Sequence, residues 1–220
     1  MVLLDDAVYK ETKKIVLGKA KRSPILIELS DWLMNMYSVK VLNFEFSKLI
    51  GSASGRYRLY IIIENTEDYQ KMHVGNFEFN KEYQSQIARE FQTLAAKHRL
   101  AAEEQLRDLF VSYNDFSEEA KTEANWKAID RFKWVVKFKY PEVWKVISMF
   151  SSTVVFYYGD SDIAPNEQNG LTEKIVNDYY AVLKKYDDLN YFTRENIQVK
   201  FDSKENVDKN YEGNLFYYTR

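Results

Sequence analysis

The chain has 220 residues, of which 45% are hydrophobic and 29% charged, so it can bury a sizeable core and is not disordered as a whole. Its 31 Lys and Arg nearly balance its 33 Asp and Glu, and the net charge of −2 lacks the basic excess of proteins that neutralise a nucleic-acid backbone. The absence of cysteine excludes disulfides and thiolate chemistry, and two histidines supply few ligands for zinc. We therefore expect no metal, no cofactor and no nucleic-acid partner.

The first six residues, Met1-Val2-Leu3-Leu4-Asp5-Asp6, form neither a basic segment nor a long apolar one, which predicts no signal peptide. No apolar run approaches the ~20 residues of a membrane-spanning helix. These features predict a cytoplasmic protein without a membrane partner.

The chain is expected to begin with a helical lead over 1–37. Residues 5–17 read as a lysine-rich helix, and Ser23-Pro24 is a helix start in which the hydroxyl caps and proline takes the first position. Alternation with a period of two then predicts a hairpin over 39–65, with its turn in the segment Gly51-Ser52-Ala53-Ser54-Gly55.

A long αα-hairpin is predicted over 80–139. Apolar residues recur at spacings of three and four from Tyr83 to Leu109, and Ser117 is a good cap for a second helix. Residues 132–140 also fit strict alternation, so periodicity alone leaves helix and strand open there. We prefer a helix because Ser117 starts it well and Pro141 stops it.

The rest of the chain, 143–220, reads as β-β-α-β-β, with a helix at 171–186 and a last hairpin from the strands near 197–202 and 215–219. The predicted fold is a single α+β domain, residues 1–220, with a mainly antiparallel sheet built from three hairpins. A helical lead followed by a hairpin occurs three times, but the three segments share no residue-level similarity. We therefore predict no sequence repeat.

Residues that usually carry catalysis are sparse. His98 falls on the apolar stripe of a helix and His73 lies in a loop without a nearby carboxylate, so both are interpreted as structural. Asp160-Ser161-Asp162 fails as a calcium loop and indicates a turn. Asp188 followed by Gln198-Val199-Lys200 has the residue types of a metal-nuclease motif, but the pattern is short and the near-neutral charge disfavours it.

Tyrosine is abundant instead, with 17 in the chain. Adjacent residues on a strand point to opposite faces, so strand parity predicts an outward sheet face of mixed aromatic and charged character. The predicted partner-binding residues on that face are Tyr60, Tyr157, Tyr217, Arg58 and Lys200. The alternative, that a helix covers this face and the tyrosines belong to the core, stays open.

The function predicted from these features is a non-catalytic, adaptor-like or immunity-protein-like module that binds another protein through its aromatic sheet face. The alternative is an enzyme or small-ligand binder that works with carboxylates, Tyr and Lys only. Its candidate groups are Glu45, Arg58, Tyr60, Glu64 and Lys200. A deep pocket enclosing these groups would favour the enzyme, whereas a broad surface would favour the binding module.

Overall fold

The structure is a computed structural model that describes residues 6–49, 55–75 and 78–220. Its residues group into two compact units, unit 1 (1–119) and unit 2 (120–220), which are described separately below. The prediction that the chain folds as a single domain stays a prediction. The start of the helical lead and most of the predicted turn at 51–55 lie outside the described residues.

Unit 1 combines helices with a three-stranded mixed sheet. Strand β2 lies in the centre and pairs antiparallel with β1 and parallel with β5, while β3 and β4 form a separate two-stranded antiparallel sheet. The elements described in this unit are α1 (Ala7–Val16), α2 (Pro24–Tyr37), β1 (Val41–Lys48), β2 (Tyr57–Ile63), α3 (Thr66–Lys71), β3 (His73–Val74), β4 (Glu78–Phe79), α4 (Lys81–Lys97), α5 (Glu103–Leu106) and β5 (Leu109–Asp115).

The two faces of this sheet are covered by different helices. Leu59 and Ile61 of β2 belong to a core with Leu29 of α2 and Phe91 of α4, all at most 1% exposed. On the other side α1 packs near β1, where the Asn43 amide donates a 3.1 Å hydrogen bond to Thr12 Oγ1. Helix α2 starts as predicted, because Ser23 Oγ accepts a hydrogen bond from the Leu26 amide and Pro24 takes the first turn.

The predicted αα-hairpin over 80–139 is wrong. Helix α4 ends at Lys97, Arg99 adopts a left-handed φ of 53°, and β5 runs parallel to β2 before the next helix begins at Phe116. Apart from half-buried Phe110, β5 is buried along its whole length, so it lacks the alternation that marks a strand with one wet face. The preference for a helix at 132–139 is confirmed.

Unit 2 also contains a three-stranded mixed sheet, with β7 in the centre, antiparallel to β6 and parallel to β8. A 3₁₀ turn, Asp160–Asp162, follows β7. The remaining elements are α6 (Phe116–Lys139, which begins in unit 1), β6 (Val143–Met149), β7 (Ser152–Tyr157), α7 (Ile163–Gln168), α8 (Leu171–Leu183), β8 (Val199–Ser203), α9 (Lys204–Asn210) and α10 (Leu215–Tyr218).

The predicted third hairpin is wrong, although those at 39–65 and near 143–158 are found. Leu215–Tyr218 is a short helix whose N-cap, Asn214, accepts a hydrogen bond from the Phe216 amide, so β8 has no antiparallel partner there. The architecture is therefore mixed α+β, and each three-stranded sheet has one antiparallel and one parallel pair.

Both faces of the unit 2 sheet are also covered. Val155 and Tyr157 pack with Phe132 of α6 and Tyr179 of α8. Phe156 and its neighbours on the opposite face pack against the C-terminal helices, in a cluster that contains Val154, Phe156, Val207 and Tyr218.

The two units share one topology. In each, a helix is followed by a three-residue loop, a bulged strand, a second antiparallel strand, helical crossover segments and a third strand that is parallel to the second and continues directly into a helix.

The shared register extends to single residues. Val41 pairs with the last residue of β2 and Val143 with the last residue of β7, and in both strands the bulge follows at once, between Val41 and Asn43 and between Val143 and Lys145. This agreement defines an internal structural repeat, which the sequence did not show because corresponding positions carry different side chains.

The end of the third strand is also held in the same way in both units. The Ser117 amide donates to the Glu64 carbonyl at 3.0 Å, and the Glu205 amide donates to the Tyr158 carbonyl at 3.2 Å. Each bond ties the helix after the third strand to the residue that follows the second strand.

Candidate partner-binding cleft

The outward placement predicted for Tyr60 and Tyr157 is wrong. Tyr60 is 6% exposed and Tyr157 is fully buried, because helices cover both faces of each sheet. The Tyr157 ring stacks on Phe201 at 5.6 Å between centroids, its hydroxyl pairs with Thr172 at 3.1 Å, and burial raises its pKa. Neither ring is accessible to a partner in this structure.

The other three predicted partner-binding residues keep some exposure. Arg58 lies 4.5 Å from the centre of the Tyr60 ring and forms a 3.3 Å ion pair with Glu45. Tyr217 is 44% exposed, on helix α10 rather than on a strand. Lys200 is exposed on β8 and donates a 2.7 Å hydrogen bond to the Tyr218 hydroxyl. Arg58 belongs to unit 1, and Tyr217 and Lys200 belong to unit 2.

The candidate groups of the enzyme alternative are engaged in separate pairs. Glu64 binds Lys40 at 2.8 Å, Glu45 binds Arg58, and Lys200 binds Asp202 at 3.2 Å. Within the described residues, no group of three or more His, Asp or Glu side chains is arranged to hold a metal ion.

The two histidines have structural neighbours. His98 Nε2 lies 3.1 Å from a Glu28 carboxylate oxygen at the surface. His73 Nδ1 lies 2.8 Å from the Tyr69 carbonyl, and its ring contacts those of Tyr69 and Phe79. His98 therefore lies at the end of α4 beside a carboxylate rather than on the apolar stripe of the helix, and His73 lies in β3 rather than in a loop.

A cleft of about 630 Å³ lies in unit 2 where α6 ends and β6 begins. Strand β6 is terminal in its sheet, so one of its edges has no strand partner among the described residues. We call this feature the α6/β6 cleft; its lining residues are Lys133, Val136, Lys137, Tyr140, Pro141, Val143, Trp144, Lys145, Val146 and Tyr158.

The α6/β6 cleft is positively charged. Its charged lining residues are three lysines, Lys133, Lys137 and Lys145, and no acidic residue lines it. Lys133 forms a 3.0 Å ion pair with Asp130, whereas Lys137 and Lys145 have no carboxylate partner within the part of the chain that the structure describes. Two uncompensated ammonium groups at one cleft favour an anionic ligand.

Aromatic side chains form much of the remaining wall. Trp144 lies with its ring 5.6 Å from Lys145 Nζ and 5.6 Å from Lys204 Nζ, and it packs edge-on against Phe156. The Tyr158 side chain is 54% exposed at the cleft. Aromatic surface beside lysine is suited to a protein partner, because the rings offer contact area at low entropic cost.

Tyr140 is neutral at physiological pH and does not offset the lysines. Burial and its 2.7 Å hydrogen bond to Asp178 raise the pKa of Tyr140. Although partial burial opposes ionisation of Asp178, hydrogen bonds from Lys139 and Tyr140 lower the pKa of that carboxyl. The cleft therefore stays cationic around neutral pH.

Two further aromatic residues lie exposed on α6 beside Lys137. Trp134 and Phe138 are 58% and 71% exposed and stack on each other at 5.3 Å. The sequence carried a signal for them, because a helix that buries Phe132 and Val136 must turn positions 134 and 138 outward.

No helix in the described part of the chain is both long and apolar enough to cross a bilayer. The chain matches no family model, no curated protein and no solved structure.

Proposed function

We propose that this chain is a non-catalytic protein-binding module whose partner presents an acidic segment to the α6/β6 cleft. The observation that carries the proposal is the lining of this cleft, which combines three lysines, no acid and the aromatic surface of half-buried Trp144 and exposed Tyr158.

The chemistry of the cleft supports a peptide ligand. Carboxylates of a partner can pair with Lys137 and Lys145, which lack such partners in the described chain, while Trp144 and Tyr158 supply apolar contact. Aromatic anchors beside desolvated charged pairs are typical of the residues that dominate binding energy at protein interfaces.

A nucleic acid would be a different partner for the same lysines and aromatic rings. The near-neutral chain, with a net charge of −2, disfavours it because nucleic-acid affinity rests largely on neutralising many phosphates. The proposal therefore keeps a protein partner but places its contact surface at the cleft rather than on a sheet face.

A random-peptide display library tests the proposal. We expect the wild-type chain to enrich peptides rich in Asp and Glu with at least one apolar anchor, and a Lys133→Glu, Lys137→Glu, Lys145→Glu variant to lose them. The matched control carries Lys127→Glu, Lys174→Glu and Lys185→Glu, which make the same charge change at exposed positions outside the cleft.

The control variant should bind the selected peptides as the wild type does. Peptides of neutral or basic composition, or acidic peptides that bind both variants equally, would contradict the proposal. The proposal would also be overturned, in favour of a nucleic-acid partner, if the wild type and the control variant bound a single-stranded oligothymidine tightly and the cleft variant did not.

A further inference from the structure

Helix α6 presents two stacked aromatic rings to solvent beside the α6/β6 cleft. Trp134 is 58% exposed and Phe138 is 71% exposed, and the ring centroids lie 5.3 Å apart with an angle of 24° between the ring planes. Both side chains lie on the side of α6 opposite to Phe132 and Val136, which are buried in the core of unit 2. We call Trp134 and Phe138 the α6 aromatic pair. Because the pair points away from the core, its exposed area is available to a partner.

Lys137 joins the α6 aromatic pair to the cleft. It lines the cleft, and its Nζ lies 5.8 Å from the centre of the Trp134 ring. Lys133 also lines the cleft and directly precedes Trp134 in the sequence. A partner that pairs a carboxylate with Lys137 therefore brings the residues next to that carboxylate to the Trp134 ring.

The charges around the α6 aromatic pair have the same sign as those of the cleft. From 131 to 139 the helix carries four basic residues and no acid. Arg131 is exposed and, like Lys137, has no carboxylate partner within the part of the chain that the structure describes. Apolar area beside uncompensated cations favours a ligand in which acids flank an apolar side chain.

The α6 aromatic pair offers more free surface for an apolar side chain than the rings inside the cleft do. Trp144 is half-buried, packs against Phe156 and has two lysine ammonium groups within 5.6 Å of its ring. Tyr158 is a single exposed ring. Two adjacent exposed rings on one helix provide the larger contact area, and buried aromatic contacts commonly dominate the affinity of an interface.

We infer that the α6 aromatic pair binds the apolar anchor residue of the acidic segment that occupies the α6/β6 cleft. The inference rests on the proposed function and specifies the sequence that the site recognises. Arg131 precedes Trp134 by three residues and Lys137 follows it by three, so these two cations lie about 9 Å apart along the helix axis. A fully extended chain spans that distance in about three residues. The recognised segment therefore carries an apolar residue with an acid within three positions on each side.

Peptides selected from the random display library on the wild-type chain are the probes. Each is synthesised with a fluorescein label, and its binding to the full chain is measured by fluorescence anisotropy. The variant that removes the α6 aromatic pair carries Trp134→Ser and Phe138→Ser. The matched control carries Trp126→Ser and Phe216→Ser, which remove a tryptophan and a phenylalanine that are 52% and 56% exposed in unit 2 and do not line the cleft.

We expect the Trp134→Ser, Phe138→Ser variant to bind the selected peptides at least about tenfold more weakly than the wild type, and the control variant to bind them as the wild type does. Replacing the apolar anchor of a peptide by serine should weaken its binding to the wild type by a similar factor. The same peptide change should cause little further loss on the variant, because both changes remove one contact. Thermal unfolding of the variant should match that of the wild type, since both rings are exposed.

The outcomes separate the inference from the proposed function. Wild-type affinity in the Trp134→Ser, Phe138→Ser variant overturns the inference, while loss of binding in the lysine variant of the cleft still supports the binding module. Independent, additive effects of the peptide and protein substitutions place the apolar anchor elsewhere and also overturn the inference. A large fall in the melting temperature of the variant would show that the two rings support the fold, with the same consequence. Peptides that bind the lysine variant as they bind the wild type contradict the proposed function and the inference together.

Discussion

The Tyr218 hydroxyl donates a 2.6 Å hydrogen bond to the carboxylate of Asp202, which joins helix α10 to strand β8. The same carboxylate accepts from the Ser203 amide and lies 3.2 Å from Lys200 Nζ. Burial opposes ionisation of Asp202, but its hydrogen bonds, first that from Tyr218, outweigh burial and lower its pKa. This contact holds the C-terminal helices over the sheet face that carries Val154 and Phe156.

Replacing Asp202 with asparagine should therefore destabilise the chain by about 2 kcal/mol at neutral pH, because it removes charge-assisted hydrogen bonds from a buried group. The pKa of Asp202 is lower in the folded chain than in the unfolded chain. Its stabilising contribution is thus fully present above the unfolded value, about 3.9, and is lost as the pH falls through the folded value. Urea unfolding from pH 7 to pH 2 measures this.

In the same titration Asp202→Asn should lose less stability between pH 5 and 2 than the wild type does. If the two proteins lost stability equally as the pH falls, these contacts would not lower the pKa of Asp202. Tyr218→Phe serves as the partner variant, since it removes the hydroxyl that donates to Asp202 but keeps the Asp202 carboxylate.

Substitution of Tyr157 and Tyr217 by serine separates core from surface. Tyr157→Ser should cost about 3–5 kcal/mol of unfolding free energy, because Tyr157 is fully buried between the sheet and α8. Tyr217→Ser should change stability by less than about 0.5 kcal/mol, because the side chain is exposed. Thermal and urea unfolding measure both; similar effects of the two variants would contradict the placement of Tyr157.

Sequence patterns found the elements whose signals are local. Helix α2 has its hydroxyl cap and proline, β1 and β2 flank a glycine- and serine-rich segment, and Pro141 ends α6 where it was expected to. These features depend on neighbouring residues, so they are visible without knowledge of the tertiary structure.

The elements that were missed depend on distant partners. Strand β5 is buried along nearly all of its length by β2 and the surrounding helices, and its run Leu109-Phe110-Val111 continued the helical stripe of α4 in sequence. The same applies to the site. Strand parity correctly put Tyr157 and Phe156 on opposite faces of the sheet, but both faces are covered, one by α6 and α8 and the other by the C-terminal helices. Only the aromatic and β-branched content of 109–113 hinted at a strand.

Asn125 of α6 holds the hairpin of unit 2. Its amide nitrogen lies 2.8 Å from the Phe150 carbonyl and 2.7 Å from the Ser152 carbonyl, and its oxygen accepts from Thr153 and Tyr179. Phe150 has a left-handed φ of 51°, which is unfavourable for a bulky residue, so the turn depends on such anchoring.

We expect Asn125→Ala to cost about 2–3 kcal/mol of unfolding free energy, since it leaves buried polar groups without partners. Asn125→Asp should cost at least as much, because a carboxylate cannot donate to the two carbonyls. The control is Asn210→Asp at an exposed position of α9. Urea unfolding of the three variants measures the difference, and a stable Asn125→Asp protein would contradict the role of Asn125.

The two units share one side-chain hydrogen bond in which the positions of the hydroxyl and the carboxylate are exchanged. In unit 1 Thr66 donates a 2.5 Å hydrogen bond to Asp115, and at the corresponding positions of unit 2 the hydroxyl of Ser203 donates to Asp160. In unit 1 the hydroxyl belongs to Thr66, the first residue of α3, and in unit 2 it belongs to Ser203, the last residue of β8. Both third-strand residues also accept from the amide three positions later, Glu118 and Asn206.

Exchanging the two residue types in unit 1 should therefore restore the interaction. Thr66→Asp alone places two carboxylates together, and Asp115→Ser alone removes the carboxylate that accepts from Thr66, Ser117 and Glu118, so each should cost about 1–2 kcal/mol. The double variant reproduces the unit 2 arrangement and should be more stable than the sum of the single effects predicts, by about 1 kcal/mol. A double-mutant cycle by urea unfolding measures this coupling. Strictly additive costs would show that the two units agree in topology without sharing this interaction.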